Sequence, residues 1–180
     1  IPFGLLLAAG CLVGGILLAL ALPSPFLLVL AGYLVLTTGY SFYLKQFVLL
    51  DVIVLAQLYT VRVYGGGAAT GVAPSHWLLT FSLFLFLSLA LVKRFTELRL
   101  MSQAEGKGLH GRGYWVTDLE HISSIGTASG LLAVLVLALY ISSKEVLLLY
   151  THADVLWLVC PVMLYWISRV WMLAYRNRMD

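Results

Sequence analysis

Long apolar runs separated by short polar stretches dominate the sequence. Six of the runs are predicted to be membrane-crossing helices, at residues 3–22, 26–44, 48–69, 76–98, 119–141 and 153–175. Each is close to the roughly 20 mostly apolar residues that a membrane-spanning helix needs. The glycine- and alanine-only run 65–69 would let another helix approach the third run closely, and residues 117–120 have the form of a capping box before the fifth. The pattern predicts an all-α, polytopic transmembrane helical bundle.

Composition supports the membrane class. The 180 residues are 62% hydrophobic and 11% charged, whereas a soluble domain has about 25% charged residues. The chain begins with Ile1-Pro2-Phe3 and lacks the basic start of a signal peptide, so we expect it to be part of a longer protein. Cys11 and Cys160 both lie in apolar runs, and we expect them to be buried packing thiols and not metal ligands.

Lysine and arginine are unevenly distributed between the two ends of the predicted helices. Eight lie on the side of the N-terminus, one (Lys144) lies on the other side, and Arg62 and Arg169 lie within helices. The eight are Lys45, Lys93, Arg94, Arg99, Lys107, Arg112, Arg176 and Arg178. Because positively charged loops stay in the cytoplasm, we predict a multi-pass protein of the inner (plasma) membrane with both ends of the chain cytoplasmic.

The cytoplasmic loop at residues 106–113 is rich in glycine and basic. One interpretation is a connector that touches anionic lipid head groups. The other is a mobile cover over a cytoplasmic site.

Ionisable side chains in membrane helices mark functional sites, because charge is unfavourable there. Lys45 ends the second predicted helix and Asp51 begins the third, where each could simply complement a helix dipole. Lys93 and Glu97 are one turn apart near the end of the fourth helix and can form an ion pair. Arg62 lies roughly 16 Å into the third helix, so it needs a buried partner or an anionic ligand, and both interpretations stay open.

Taken together, these charges lie at one membrane level. Lys45, Lys93 and Arg94 are three cations at that level, and Asp51 and Glu97 lie there too. Such a group of cations can bind a phosphate or diphosphate. A membrane enzyme that handles a lipid phosphate needs this arrangement, with the lipid head group at the cytoplasmic mouth and the tail among the helices.

These polar positions resemble the UbiA superfamily of intramembrane prenyltransferases. The residues that carry the resemblance are Tyr40-Ser41-Phe42-Tyr43-Leu44-Lys45, Leu50-Asp51, Arg62, the glycine cluster at 65–67, Lys93-Arg94-Phe95-Thr96-Glu97-Leu98, and the segment 157–180 with Tyr165-Trp166 and Arg169. The Tyr-Ser-x-x-Leu-Lys and Lys-Arg-aromatic-x-Glu-Leu stretches, in this order, are most similar to the decaprenyl-phosphate phosphoribosyltransferase branch. The sequence also looks like the membrane half of bacterial two-domain proteins that join a haloacid-dehalogenase-like domain to a UbiA domain.

The resemblance implies nine helices around a central cavity, of which these six would be the last. Residues 1–180 would then be a partial UbiA-like transmembrane domain. The family's Asn-Asp-x-x-Asp-x-x-x-Asp motif, which holds Mg²⁺ against a diphosphate, does not occur in this sequence. We expect Mg²⁺ in the full-length protein, with its ligands mostly outside this chain, and we expect the chain alone to be inactive.

By position in the motifs, the resemblance also implies residue roles. The catalytic candidates are Lys45, Asp51 and Glu97, and the substrate phosphate-binding candidates are Tyr40, Lys45, Arg62, Lys93 and Arg94. The cations would stabilise charge and Tyr40 would donate a hydrogen bond. Asp51 and Glu97 would orient the cations or share in metal binding, while Arg62 would fix the cavity wall by pairing with a carboxylate.

Several functions stay open. Quinone-type prenyltransferases carry a second aspartate-rich motif after the helix that matches the fourth one here. This chain has Lys93, Arg94 and Glu97 there instead, which suits a second anionic substrate. Phosphoribosyl transfer from phosphoribosyl diphosphate to a polyprenyl phosphate is therefore preferred over prenyl transfer to an aromatic or other small acceptor. The expected partners are a polyprenyl lipid, the bilayer and a possible fused N-terminal soluble domain, with no nucleic acid. Alternatives of another class are a transporter or a non-catalytic membrane module.

Overall fold

The computed structural model describes residues 2–103, 112–144, 146 and 153–176. The α-helices whose bounds lie within these ranges are α1 (Pro2–Leu20), α2 (Ser24–Phe42), α3 (Leu50–Thr70), α4 (His76–Gln103), α5 (Leu119–Ile141) and α6 (Val159–Tyr175). Short 3₁₀ turns lie at Leu44–Gln46, Val116–Asp118 and Ala153–Leu158. No strand occurs in these ranges, so the all-α prediction is confirmed. Lys107, Arg178 and residues 106–111 of the glycine-rich loop lie outside the described residues, and the two interpretations of that loop stay predictions.

Five segments are long and apolar enough to cross a membrane. They are Ser24–Phe42, Leu50–Thr70, His76–Ser102, Val116–Ile141 and Asp154–Tyr175. The chain is therefore a multi-pass membrane protein. The sixth predicted span coincides with α1, which is helical, and its crossing of the membrane stays a prediction.

Helix α4 is longer than the sequence pattern predicts. Its 28 residues extend about 42 Å, whereas the hydrocarbon core of a bilayer is about 30 Å thick. Its C-terminal turns, which carry Lys93, Arg94 and Glu97, therefore reach towards the membrane surface.

Helices α1 to α4 pack one against the next, and α4, α5 and α6 pack together as a group of three. Helix α4 packs against α3, α5 and α6, while α3 also packs against α2, and α2 against α1. The buried core comes from α3 to α6 and includes Val52, Leu91, Phe95, Leu98, Ile122, Ile167 and Trp171. Helix α2 contributes no buried residue. The prediction that both cysteines are buried is wrong, because Cys11 is exposed and Cys160 is only half-buried.

Close packing among α4, α5 and α6 depends on two glycines one turn apart. A Cβ atom on Gly126 would lie 2.2 Å from Cζ2 of Trp171, and one on Gly130 would lie 2.6 Å from Cγ2 of Ile167. The Ser88 hydroxyl donates to the Gly126 carbonyl at 2.7 Å, and Trp171 Nε1 donates to that hydroxyl oxygen at 3.1 Å. Small residues spaced in this way let membrane helices approach closely and hydrogen-bond across the contact.

Two local predictions have different outcomes. The run 65–69 does face a neighbour, because Gly65 is buried and a Cβ atom there would lie 3.5 Å from Cγ1 of Val29 in α2. The capping box at residues 117–120 is wrong, since α5 has no side-chain cap hydrogen bond. The Asp118 carboxylate accepts instead from the Trp115 backbone N–H at 2.9 Å, because a 3₁₀ turn precedes the helix.

Candidate functional site

A partly buried group of charges lies where α3 begins and α4 nears its end. Asp51 is 0% exposed and Arg94 is 1% exposed. Arg94 Nε lies 2.9 Å from Asp51 Oδ2, and Arg94 Nη1 also pairs with Glu97. The Tyr114 hydroxyl donates to Asp51 Oδ1, and Arg112 Nη1 lies 3.9 Å from Oδ2. We call these five residues the Asp51 cluster.

Tyr114 ties the connector before α5 to the start of α3. Its hydroxyl oxygen accepts a hydrogen bond from the Leu49 backbone N–H at 2.8 Å. Leu49 has φ +63°, a left-handed conformation that is unfavourable for a branched side chain. Gly113 has φ +70°, and a Cβ atom there would lie 3.2 Å from the Gln46 carbonyl oxygen. The connector therefore packs directly on the turn that carries Lys45.

The charges of the Asp51 cluster balance within it. Two guanidinium groups face two carboxylates; Arg94 and Asp51 form the buried pair, whereas Glu97 and Arg112 are each about a third exposed. Burial, together with the hydrogen bond to the Asp51 carboxylate, raises the pKa of Tyr114 well above its usual range. The Tyr114 hydroxyl therefore stays protonated and remains a donor. The Arg94 Nε–H is not aligned on Asp51 Oδ2, so that contact is an ion pair and not a well-formed hydrogen bond.

The structure brings together Asp51, Arg94 and Glu97, as their common level predicts. The predicted pair of Lys93 with Glu97 is wrong, because Glu97 pairs with Arg94. Lys93 is exposed, since neighbouring positions on a helix point about 100° apart. Lys45 is half-buried in the Leu44–Gln46 turn. Neither lysine forms a salt bridge with a residue in the described ranges, and their binding of phosphate stays a prediction.

Arg62 lies in a groove between α2 and α3. Its Nε and Nη2 lie 3.0 Å and 2.5 Å from the Tyr33 hydroxyl oxygen, and its guanidinium carbon lies 5.2 Å from the ring centre of Tyr59. The carboxylate partner expected for Arg62 is not found in the described part of the chain. Arg62 also lines a cavity of about 220 Å³ together with Tyr40, so the structure does place these two predicted residues on one cavity wall.

The Asp51 cluster does not fit a magnesium site. Within the described ranges, no group of three or more His, Cys, Asp or Glu side chains could hold a metal ion. Asp51 is covered by two guanidinium groups and the Tyr114 hydroxyl, and Glu97 faces Arg94. The geometry suits carboxylates that orient cations, and Mg²⁺ stays an expectation for ligands outside this chain.

The chain is similar to several longer bacterial proteins. It is 36% identical over 175 residues to the uncharacterized protein y4nM of Sinorhizobium fredii, which covers 96% of this chain and 34% of that protein. It is 33% identical over 149 residues to the nodulation protein NoeC of Azorhizobium caulinodans, and this match covers 83% of this chain and 48% of NoeC. It is 30% identical over 86 residues to the decaprenyl-phosphate phosphoribosyltransferase of Mycolicibacterium smegmatis, and this match covers 48% of this chain and 27% of that protein. No family model matches the chain.

The similarities and the apolar helices together define a multi-pass membrane protein, and they do not identify its reaction. The chain spans about a third to a half of the length of y4nM and NoeC. It is a multi-pass membrane protein with distant similarity to a decaprenyl-phosphate phosphoribosyltransferase. Its apolar helices fit a membrane transferase of the prenyl type.

Proposed function

We propose that this chain belongs to the membrane domain of a UbiA-type transferase that acts on a polyprenyl phosphate. The preferred reaction is phosphoribosyl transfer from phosphoribosyl diphosphate. The observation that carries the proposal is the Asp51 cluster, in which Asp51 from α3 meets Arg94 and Glu97 from the Lys-Arg-aromatic-x-Glu-Leu stretch on α4. The similarity to a decaprenyl-phosphate phosphoribosyltransferase supports the choice of branch.

In the proposed reaction, a phosphate oxygen of the lipid forms a bond to C1 of the ribose. The bond from C1 to the diphosphate breaks, and the diphosphate leaves with the electron pair. Both substrates are anionic, so cations fixed at the site before reaction stabilise the charge that develops on the leaving group. Lys45 and Lys93 are the cations proposed for this role, because neither is neutralised by a carboxylate in the described residues.

The other predicted residues take supporting roles. Asp51 and Glu97 hold the Arg94 side chain, so both act through a cation and not on the substrate directly. Tyr40 and Arg62 line a shared cavity between α2 and α3, where Tyr40 would donate a hydrogen bond to a phosphate oxygen. A second cavity between the same helices, of about 210 Å³, is lined by apolar side chains that include Phe26, Val29 and Leu30 and would suit a lipid tail.

The topology that goes with this function is also a proposal. The Asp51 cluster would lie at the cytoplasmic face of the inner membrane, and both ends of the chain would be cytoplasmic. The relatives are longer than the chain, which leaves room for the aspartate-rich motif, Mg²⁺ ligands and a fused soluble domain.

Transfer of a labelled group into lipid tests the proposal. The full-length protein, purified in detergent, is given Mg²⁺, radiolabelled phosphoribosyl diphosphate and decaprenyl phosphate, and the organic phase is counted. We expect labelled lipid from the wild type and from Lys144→Ala, an exposed lysine near the end of α5. We expect much less from Lys45→Ala.

A parallel assay with a polyprenyl diphosphate and an aromatic acceptor separates the branches. Prenyl transfer without labelled lipid in the first assay would reject the phosphoribosyl branch and keep the transferase. Absence of product in both assays would reject the transferase itself.

A further inference from the structure

We infer that Arg112 is a further phosphate-binding residue of this site, and that the Asp51 cluster presents its guanidinium to the anionic substrate. The inference rests on the proposed function, which it deepens. It also changes the role of the neighbouring arginine, Arg94, from a ligand-contacting cation to a positioning residue.

Arg94 has little room for a ligand. Its side chain is 1% exposed, and its nitrogens face Asp51 on one side and Glu97 on the other. Its guanidinium carbon also lies 6.0 Å from the ring centre of Tyr114. A phosphate could reach this guanidinium only by displacing Asp51, which is buried, or Glu97, which is 32% exposed. Loss of either carboxylate would leave the buried charge of Arg94 less well compensated.

Arg112 is accessible and still held by the same carboxylate. Its side chain is 33% exposed, and its Nη1 lies 3.9 Å from Asp51 Oδ2. That distance is longer than a hydrogen bond, which is typically about 2.7–3.2 Å for N–H···O. The Asp51 carboxylate therefore attracts the Arg112 guanidinium by charge, and the N–H groups of Arg112 remain available to another acceptor. A guanidinium presents five donors in a planar fork that matches a phosphate.

The residues after Arg112 fix its position. Tyr114 is 1% exposed, and its hydroxyl is bonded to both Asp51 and the Leu49 N–H. Gly113, with φ +70°, lets the backbone lie against the Gln46 carbonyl oxygen. The backbone at Arg112 is thus attached to the turn that carries Lys45, so cations from two connectors lie at one end of the bundle.

Charge balance favours the same role. Asp51, Glu97 and Arg94 without Arg112 would carry a net negative charge, which would repel a phosphate. Arg112 brings the Asp51 cluster to neutrality, and Lys45 and Lys93, which form no salt bridge with a described residue, add positive charge at this end of the bundle.

Binding of inorganic diphosphate by the full-length protein tests the inference. Its dissociation constant is measured by calorimetry in detergent at fixed Mg²⁺ for the wild type, Arg112→Gln, Arg112→Lys and the control Lys144→Gln. Since charge-assisted hydrogen bonds to phosphate are lost, we expect Arg112→Gln to weaken binding by roughly tenfold to a hundredfold. Arg112→Lys keeps the charge but loses the planar fork of donors, so its dissociation constant for diphosphate should lie between those of the wild type and Arg112→Gln. Lys144→Gln should bind like the wild type.

Thermal unfolding of the same samples separates binding from folding. Because Arg112 is a third exposed, its variants should melt close to the wild type, whereas Arg94→Gln should give less folded protein. Equal diphosphate binding by the wild type, Arg112→Gln and Arg112→Lys would overturn the inference and leave the transferase proposal intact. A wild type that does not bind diphosphate would overturn it too, while the labelled-lipid assay would still decide the proposed function.

Discussion

Replacing Tyr114 with phenylalanine removes one oxygen atom from the centre of the Asp51 cluster. The ring, which is 1% exposed, keeps its packing, so the change is confined to hydrogen bonds. The hydroxyl donates to the Asp51 carboxylate and accepts from the Leu49 N–H at 2.8 Å. Both bonds are lost, and Leu49 keeps an unfavourable φ of +63° without the contact that stabilises it.

The expected loss of stability follows from these two bonds. A hydrogen bond to a charged group contributes about 1.5–3 kcal/mol, and a buried N–H left without an acceptor costs about 1–3 kcal/mol. Water that reaches the Leu49 N–H in the variant would offset part of this. We therefore expect Tyr114→Phe to lower the free energy of unfolding by about 3 kcal/mol, which is roughly a hundredfold in the folding equilibrium.

Equilibrium unfolding of the full-length protein in mixed detergents, followed by tryptophan fluorescence, measures this loss. Tyr43→Phe is the matched control, because Tyr43 lies at the same end of the bundle and is 72% exposed. It should stay within about 0.5 kcal/mol of the wild type. A Tyr114→Phe variant as stable as Tyr43→Phe would show that the hydroxyl does not hold the two connectors together.

The same pair of proteins gives a pH test. Because the pKa of Tyr114 is raised in the folded state, the unfolded chain loses this proton first as pH rises above about 10. The stabilisation from this group is complete below that pH and declines above it. The stability difference between wild type and Tyr114→Phe should therefore shrink from about pH 10 upwards; a constant difference would contradict the assignment of the buried donor.

Two further predictions concern helix packing and the lysines. Gly126→Ala should lower the yield of folded protein in detergent, because its Cβ atom would overlap the Trp171 ring. Gly66→Ala is the control and should not lower the yield, because no atom lies within 4 Å of the added Cβ. Equal yields of the two variants would contradict the close contact at Gly126. Lys45→Ala and Lys93→Ala should lower turnover in the labelled-lipid assay far more than protein abundance, and near-normal turnover in both would make these lysines topology anchors.

The sequence predicts the membrane helices well, because each span needs an apolar run that is visible without tertiary contacts. The fifth span is predicted at the bounds observed for α5. Contacts between helices are less visible. Gly126 and Gly130 lie one turn apart in an apolar run and could have been noticed by their spacing, but their partner Trp171 could not be identified from the sequence.

At the candidate site, too, the sequence predicts the level of the residues but not their contacts. The common level of Asp51, Arg94 and Glu97 follows from topology, whereas the exchange of Lys93 for Arg94 as the partner of Glu97 depends on the rotation of α4. Tyr114 and Arg112 were missed, because they lie in a polar connector without a periodic pattern. Their roles arise only when that connector folds back on the start of α3.

The start of α3 also has a consequence for how the protein is made. Leu49 stands at the N-terminal cap of α3 and provides no side-chain hydrogen bond to it, and the hydroxyl that accepts its N–H comes 65 residues later. When α2 and α3 first reach the membrane, Arg94 and Tyr114 lie further along the chain and have not yet joined them. Until these two residues pack against it, the Asp51 carboxylate depends on water for its hydrogen bonds, so the start of α3 is completed only after α4 and the connector before α5 have joined it.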